Sequence, residues 1–117
     1  MERIHIRDLN LRCIIGVYPE ERKDRQDIVI NITLDCAFGE AASTDRLEDT
    51  VDYKSITKRI IALVEESEFQ LLESLVDRVC EICLAAPGVH RASVCIDKPG
   101  ALRFARSVAV EIARERP

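Results

Sequence analysis

Tryptophan is absent from this 117-residue chain, and three phenylalanines and two tyrosines make up its whole aromatic content of 4%. So few flat rings argue against a surface on which nucleic acid bases stack. Basic residues are also outnumbered, 17 Lys and Arg against 21 Asp and Glu for a net charge of -4. The two signs are interleaved, so there is no basic stripe for nucleic acid and no lipid-binding helix. Only two histidines occur, His5 and His90, whereas zinc needs at least three protein ligands, so no metal site is expected. The five cysteines, Cys13, Cys36, Cys80, Cys83 and Cys95, are odd in number and show no disulfide framework, as expected of reduced thiols. Cys80-Glu81-Ile82-Cys83 falls in a helical pattern without a second pair and reads as two buried helix cysteines. No apolar run approaches the length of a membrane span, and Met1-Glu2-Arg3-Ile4-His5 lacks the apolar core of a secretion signal. A cytoplasmic location is therefore expected.

What is present suits one soluble domain over residues 1–117 with a modest core, at 47% hydrophobic and 32% charged. Ile4 and Ile6 alternate with His5 and Arg7, the phase slips at Asp8, and Leu9, Leu11, Cys13 and Ile15 resume it. A bulged strand would absorb the extra residue. Gly16 to Asp24 is a polar connection. Ile28, Ile30, Ile32, Leu34, Cys36 and Phe38 then fall on every second position, the clearest strand in the chain. Gly39 to Thr50 is a crossover with a helical turn expected at Glu40 to Ser43. Asp52 can cap a helix whose apolar face is Ile56, Ile60, Leu63 and Val64. A second helix, with Leu72, Leu75, Val76, Val79, Ile82, Cys83 and Ala86 as its stripe, is stopped by Pro87-Gly88. Two strands follow, Ser93 to Asp97 and about Phe104 to Ala113.

The order ββααββ predicts an α+β domain, an antiparallel four-stranded sheet with both helices on one face. Its other face carries Asp27, Asn31, Thr33, Asp35, Ser107 and Glu111 and is expected to meet water. Lys98 leaves its strand into Pro99-Gly100, where pairing is expected to stop and the amine to be displayed at the solvent boundary. Four side chains are candidates for more than scaffolding: Glu21, Tyr53, Glu73 and Lys98. Each also has an ordinary reading. Glu21 and Lys98 can be solvated charges, Tyr53 can pack the helix start, and Glu73 can complement a helix N-terminus.

Ile15-Gly16-Val17, Glu21, Arg25-Gln26, Val51-Asp52-Tyr53, Phe69-Gln70-Leu71-Leu72-Glu73 and Lys98-Pro99-Gly100-Ala101 occur in this order across essentially the whole chain. Together they resemble the dihydroneopterin aldolase family. Arg25-Gln26-Asp27-Ile28-Val29-Ile30-Asn31, the region from Ile56-Thr57-Lys58 to Val64-Glu65, and Ile96-Asp97-Lys98 with Ala101-Leu102-Arg103 look closer to the branch that epimerises dihydroneopterin triphosphate at C2′. Pro99-Gly100 looks more like the aldolase branch.

The resemblance implies a tunnelling fold, with four copies joining their sheets into a barrel and two rings stacking into an octamer. It implies a dihydropterin substrate, no cofactor and active sites between subunits. It further implies that Lys98, Tyr53 and Glu21 are catalytic and that Glu73, Leu72 and Asp52 bind substrate. Glu73 would take two parallel hydrogen bonds from the pterin, Lys98 would transfer protons, Tyr53 would serve the enol-like carbon from a neighbouring chain, and Glu21 would orient Lys98 and water. The implied chemistry is a reversible retro-aldol break of the 2′–3′ bond, closing on the opposite face for epimerisation or releasing glycolaldehyde for the aldolase. A triphosphate needs cations; Arg103 is the first nominee, with Arg106, Lys54 and Arg22 behind it. A non-catalytic pterin-binding module of the same fold is the remaining alternative, while a zinc-dependent pterin synthase lacks its third histidine.

Overall fold

A computed structural model describes residues 1–117. Four strands form one antiparallel sheet in the spatial order β1-β2-β3-β4: β1 is Glu2–Cys13, β2 Gln26–Cys36, β3 Val89–Pro99 and β4 Ser107–Glu115. Between β2 and β3 run a short helix α1, Ala41–Thr44, and two longer ones, α2, Tyr53–Glu66, and α3, Leu72–Ala85. The ββααββ order is therefore as expected, with the helical turn shifted by one residue. A 3-10 turn, Pro19–Arg22, sits in the β1–β2 connection.

The core lies between one sheet face and the helices. Ile28, Ile30, Ile32 and Leu34 of β2 and Ala92, Val94 and Ile96 of β3 are almost wholly buried against Ile56, Ile60 and Val64 of α2 and Leu75, Val76 and Val79 of α3. Period two in the strands and a three-to-four spacing in the helices bring these residues to one side. The phase slip in β1 is a bulge. The β1–β2 register steps between Ile6 and Leu9, Asp8 takes a φ of 53°, and its amide donates to Asn31 Oδ1 at 2.9 Å. Four of the five cysteines are buried free thiols, and burial pushes the Cys83 thiol up to about 12.

Three expectations need correction. Asp35, assigned to a wet face, is only 6% exposed, because Arg3 Nε lies 3.0 Å and Arg91 Nη1 3.8 Å from its carboxylate oxygens and cover it. The third strand is longer than Ser93 to Asp97: Val89 and Ala92 continue its buried row, and pairing runs through Pro99 opposite Ser107 before Gly100 turns at φ 77°. A proline at the last rung removes only one donor. The final strand starts at Ser107 rather than Phe104, whose ring is 96% exposed.

The molecule is elongated, 52 × 25 × 25 Å, so its two ends are separate environments. At one end the Asp52 carboxylate caps α2 by accepting from Ser55 N at 3.0 Å. Replacing Asp52 with Ala should lower unfolding stability by about 1 kcal/mol and Asp52→Asn by much less, read from urea unfolding of both variants.

Candidate active site

Lys98 is not displayed at the surface as its turn position suggested. It is 8% exposed, because it is the next member of the row Ala92, Val94 and Ile96 on the helix-facing side of β3. An ammonium at the rim of an apolar core requires an anion. The 3-10 turn supplies one: Glu21 Oε2 accepts a short charge-assisted hydrogen bond from Lys98 Nζ.

Several neighbours fix that carboxylate. Tyr18 N donates to Glu21 Oε1 at 3.3 Å while Glu21 N donates to Tyr18 O at 2.9 Å, a reciprocal pair that closes the turn. Gln26 Nε2 donates to Glu21 Oε2 at 3.3 Å and to Ile15 O at 2.6 Å. Gly16 has a φ of 135°, and any Cβ there would overlap the Glu21 carboxyl group. The hydrogen bond from Lys98 is the main reason the Glu21 carboxyl is held below its ordinary value of 4.5; Gln26 and the Tyr18 amide add to it, against burial. Cys13, fully buried nearby, has its thiol pushed up by burial and stays a packing residue.

The head of α3 belongs to the same end of the molecule. Gly16 N donates to Phe69 O at 3.3 Å, joining the β1–β2 connection to the segment that leads into Leu72 and Glu73. Leu72 is buried at 8% exposure, and Glu73 is exposed in the first helical turn. No side chain caps that turn, so a carboxylate there lies in the favourable field of unpaired amides.

Tyr53 and Asp52 are at the other end. A run of about 20 Å along the 14-residue α2 separates Tyr53 from Glu66, and Gly88, just ahead of β3, lies against Val51. Lys98 is near the far end of β3, roughly 30 Å along the strand from Val89 at ~3.3 Å per residue. Tyr53 is 58% exposed and does not pack its helix start. It lines an apolar hollow with Phe38, Ala41, Ala42, Leu47 and Thr50. One chain thus pairs Lys98 with Glu21, ties their loop to the segment that leads into Leu72 and Glu73, and leaves Tyr53 and Asp52 at the other end.

Among the nominated cations, Arg103 is exposed with its guanidinium 5.5 Å from the Phe104 ring centre, and Arg106 lies 3.8 Å from the Asp97 carboxylate. Lys54 is exposed at the Tyr53 end. Arg22 is engaged with backbone carbonyls and is not a free cation, which removes it as a phosphate nominee. Two residues that matter to the site, Gly16 and Gln26, carried no role in the sequence reading. Their signal was the Gly16…Glu21…Gln26 spacing around one short connection.

The depressed Glu21 value fixes a pH dependence. Stability from the ionised carboxylate is complete above the unfolded value, near 4.5, and is lost as pH falls through the folded value. Glu21→Gln should cost about 1–3 kcal/mol at pH 7 by leaving Lys98 without its anion. Urea unfolding at falling pH should show that gap closing as wild-type Glu21 protonates; a gap unchanged at pH 3 would contradict the pairing.

The dihydroneopterin aldolase family profile matches residues 4–113. Dihydroneopterin triphosphate 2′-epimerase of Pseudomonas aeruginosa is 40% identical over 116 residues, covering 99% of this chain and 94% of that protein. Dihydroneopterin aldolase of Streptomyces coelicolor is 37% identical over 101 residues, covering 86% of this chain and 85% of that one. The crystal structure of Escherichia coli dihydroneopterin aldolase in complex with neopterin superposes with a TM-score of 0.92 at 31% identity, covering 97% of this chain and 99% of that one. With its ββααββ order, its buried Lys98–Glu21 pair and these matches, the chain belongs to the dihydroneopterin aldolase family.

Proposed function

We propose that the chain is a dihydroneopterin triphosphate 2′-epimerase working by reversible retro-aldol chemistry. The observation that carries this reading is the burial of Lys98 against Glu21, whose loop is hydrogen-bonded to the segment that leads into Glu73, in a chain 40% identical to a relative named as that epimerase. The exposed Arg103 of the β3–β4 loop, which has no carboxylate partner, supports a phosphorylated substrate.

The bond that breaks is C1′–C2′, not the 2′–3′ bond expected from the sequence. Cleavage at 2′–3′ would leave the electron pair on a carbon not conjugated with the ring imine. Breaking C1′–C2′ sends the pair into the imine through C1′, turning the 2′-hydroxyl carbon into an aldehyde. It leaves C1′ on the ring as a hydroxymethyl precursor and carries C2′ and C3′ away as a glycolaldehyde unit. If that unit turns over before the bond reforms, C2′ inverts. If it departs and C1′ takes a proton, the product is 6-hydroxymethyl-dihydropterin.

In this scheme Glu73 holds the pterin amino group and ring N–H, with Leu72 against the ring. Lys98 moves the proton of the 2′-hydroxyl, and Glu21 keeps its amine aimed and charge-balanced. Tyr53 serves C1′, and with Asp52 it comes from a neighbouring copy, since its own chain holds it at the opposite end. The unpaired edges of β1 and β4 supply the surfaces through which copies could join into a ring. Aldolase activity on the same groups is the second reading, favoured by Pro99-Gly100 and by the aldolase relative at 37% identity.

Purified protein incubated with dihydroneopterin triphosphate should yield mainly the 2′-epimer, dihydromonapterin triphosphate; 6-hydroxymethyl-dihydropterin as the main product would give the second reading. Lys98→Ala should lower turnover by about 10²–10⁴-fold; full turnover in that variant would remove Lys98 from the chemistry, and no turnover by the wild type would leave only a non-catalytic binding module. Arg103→Ala should raise KM for the triphosphate far more than for unphosphorylated dihydroneopterin, and equal losses would exclude Arg103 as the phosphate contact.

A further inference from the structure

Arg22 follows Glu21 in the 3-10 turn, and the two side chains diverge. Glu21 reaches Lys98 on β3. Arg22, half-buried, turns toward the α2–α3 connection. Its Nη1 donates to Gly16 O at 3.0 Å and to Phe69 O at 3.2 Å, and its Nη2 donates to Glu68 O at 2.7 Å. All three acceptors are main-chain carbonyls, in two connections separated by more than forty residues of sequence. Phe69 O also accepts from Gly16 N, so the guanidinium and one backbone hydrogen bond close the same junction.

This junction controls one geometric quantity. On one side is the loop that places Glu21, and through it the Lys98 amine. On the other is the segment that launches α3, with Leu72 and Glu73 in its first turn. Nothing else in the hydrogen-bond network joins these two connections directly. A planar fork with donors pointing in two directions can hold two backbones at a set spacing, which a flexible ammonium does poorly. A shift of about 1 Å between groups that share a substrate can cost about 100-fold in rate.

We propose that Arg22 is a positioning residue whose guanidinium sets the distance between the Lys98–Glu21 pair and the Glu73 anchor, so that turnover depends on it more than ligand affinity does. The inference rests on the function proposed above. Arg22 touches no reacting atom in this scheme.

Arg22→Ala is expected to lower kcat by about 10–100-fold. The dissociation constant for neopterin, read by fluorescence titration, should stay within about threefold, because Glu73 and Leu72 remain. Hydrogen exchange at the Gly16 amide should accelerate. Arg22→Lys keeps charge and stem, should fold as the wild type does, and should still lose roughly fivefold or more in kcat. Wild-type kcat in either variant, a neopterin affinity that falls as far as kcat, or unchanged Gly16 exchange in Arg22→Ala would each overturn the proposal. Wild type and Lys98→Ala run alongside separate the two ideas: wild type without turnover overturns the proposed function, whereas an active wild type and an inactive Lys98→Ala beside a fully active Arg22→Ala overturn only the positioning role.

Discussion

A single charge-assisted hydrogen bond, between the Lys98 amine and the Glu21 carboxylate, constrains the end of the molecule where the candidate chemistry lies. Lys98 occupies a position that strand alternation assigns to the core, and an ammonium there is tolerable only with a fixed anion. The β1–β2 connection is shaped to deliver that anion. Gly16 gives up its side chain so that the carboxylate can approach, the 3-10 turn aims it, and Gln26 ties it back to the Ile15 carbonyl. Loop conformation, strand register and charge balance are thus one problem with one solution.

The rest of the fold serves as a rigid mount for that arrangement. The two central strands bury an almost continuous aliphatic row against α2 and α3, so the position of Lys98 is fixed by packing that extends the length of β3. The opposite sheet face is less uniformly wet than its composition suggests. Arg3 and Arg91 fold over Asp35, so charge is buried there by pairing. The same device, an ion pair that makes burial affordable, appears on both faces for different ends.

Much of the fold was legible because periodicity is a local property. The slip at Asp8, the Asp52 cap and the Pro87-Gly88 stop are each written in a few adjacent residues and appear where expected, and the alternation expected from Ile28 to Phe38 holds as far as Cys36, where β2 ends. Boundaries were less legible, since the extension of β3 back to Val89 depends on pairing with residues far away in sequence. The burial of Lys98 was readable and was outweighed by the turn that follows it: counting in twos from Ala92 reaches Lys98 on the apolar side. The task of Arg22 was not readable, because its acceptors are backbone carbonyls, which no side-chain pattern encodes. The separation of Tyr53 from Lys98 followed only once the direction of α2 along the sheet was known.

That separation has a consequence for how such a protein would behave in a cell. Each copy carries an amine at one extremity and a phenol at the other, so on the proposed reading a complete reaction centre belongs to the contact between molecules and to none of them alone. Activity would then rise with more than the first power of abundance at low expression, and dilution would silence the protein while every chain in it was still folded.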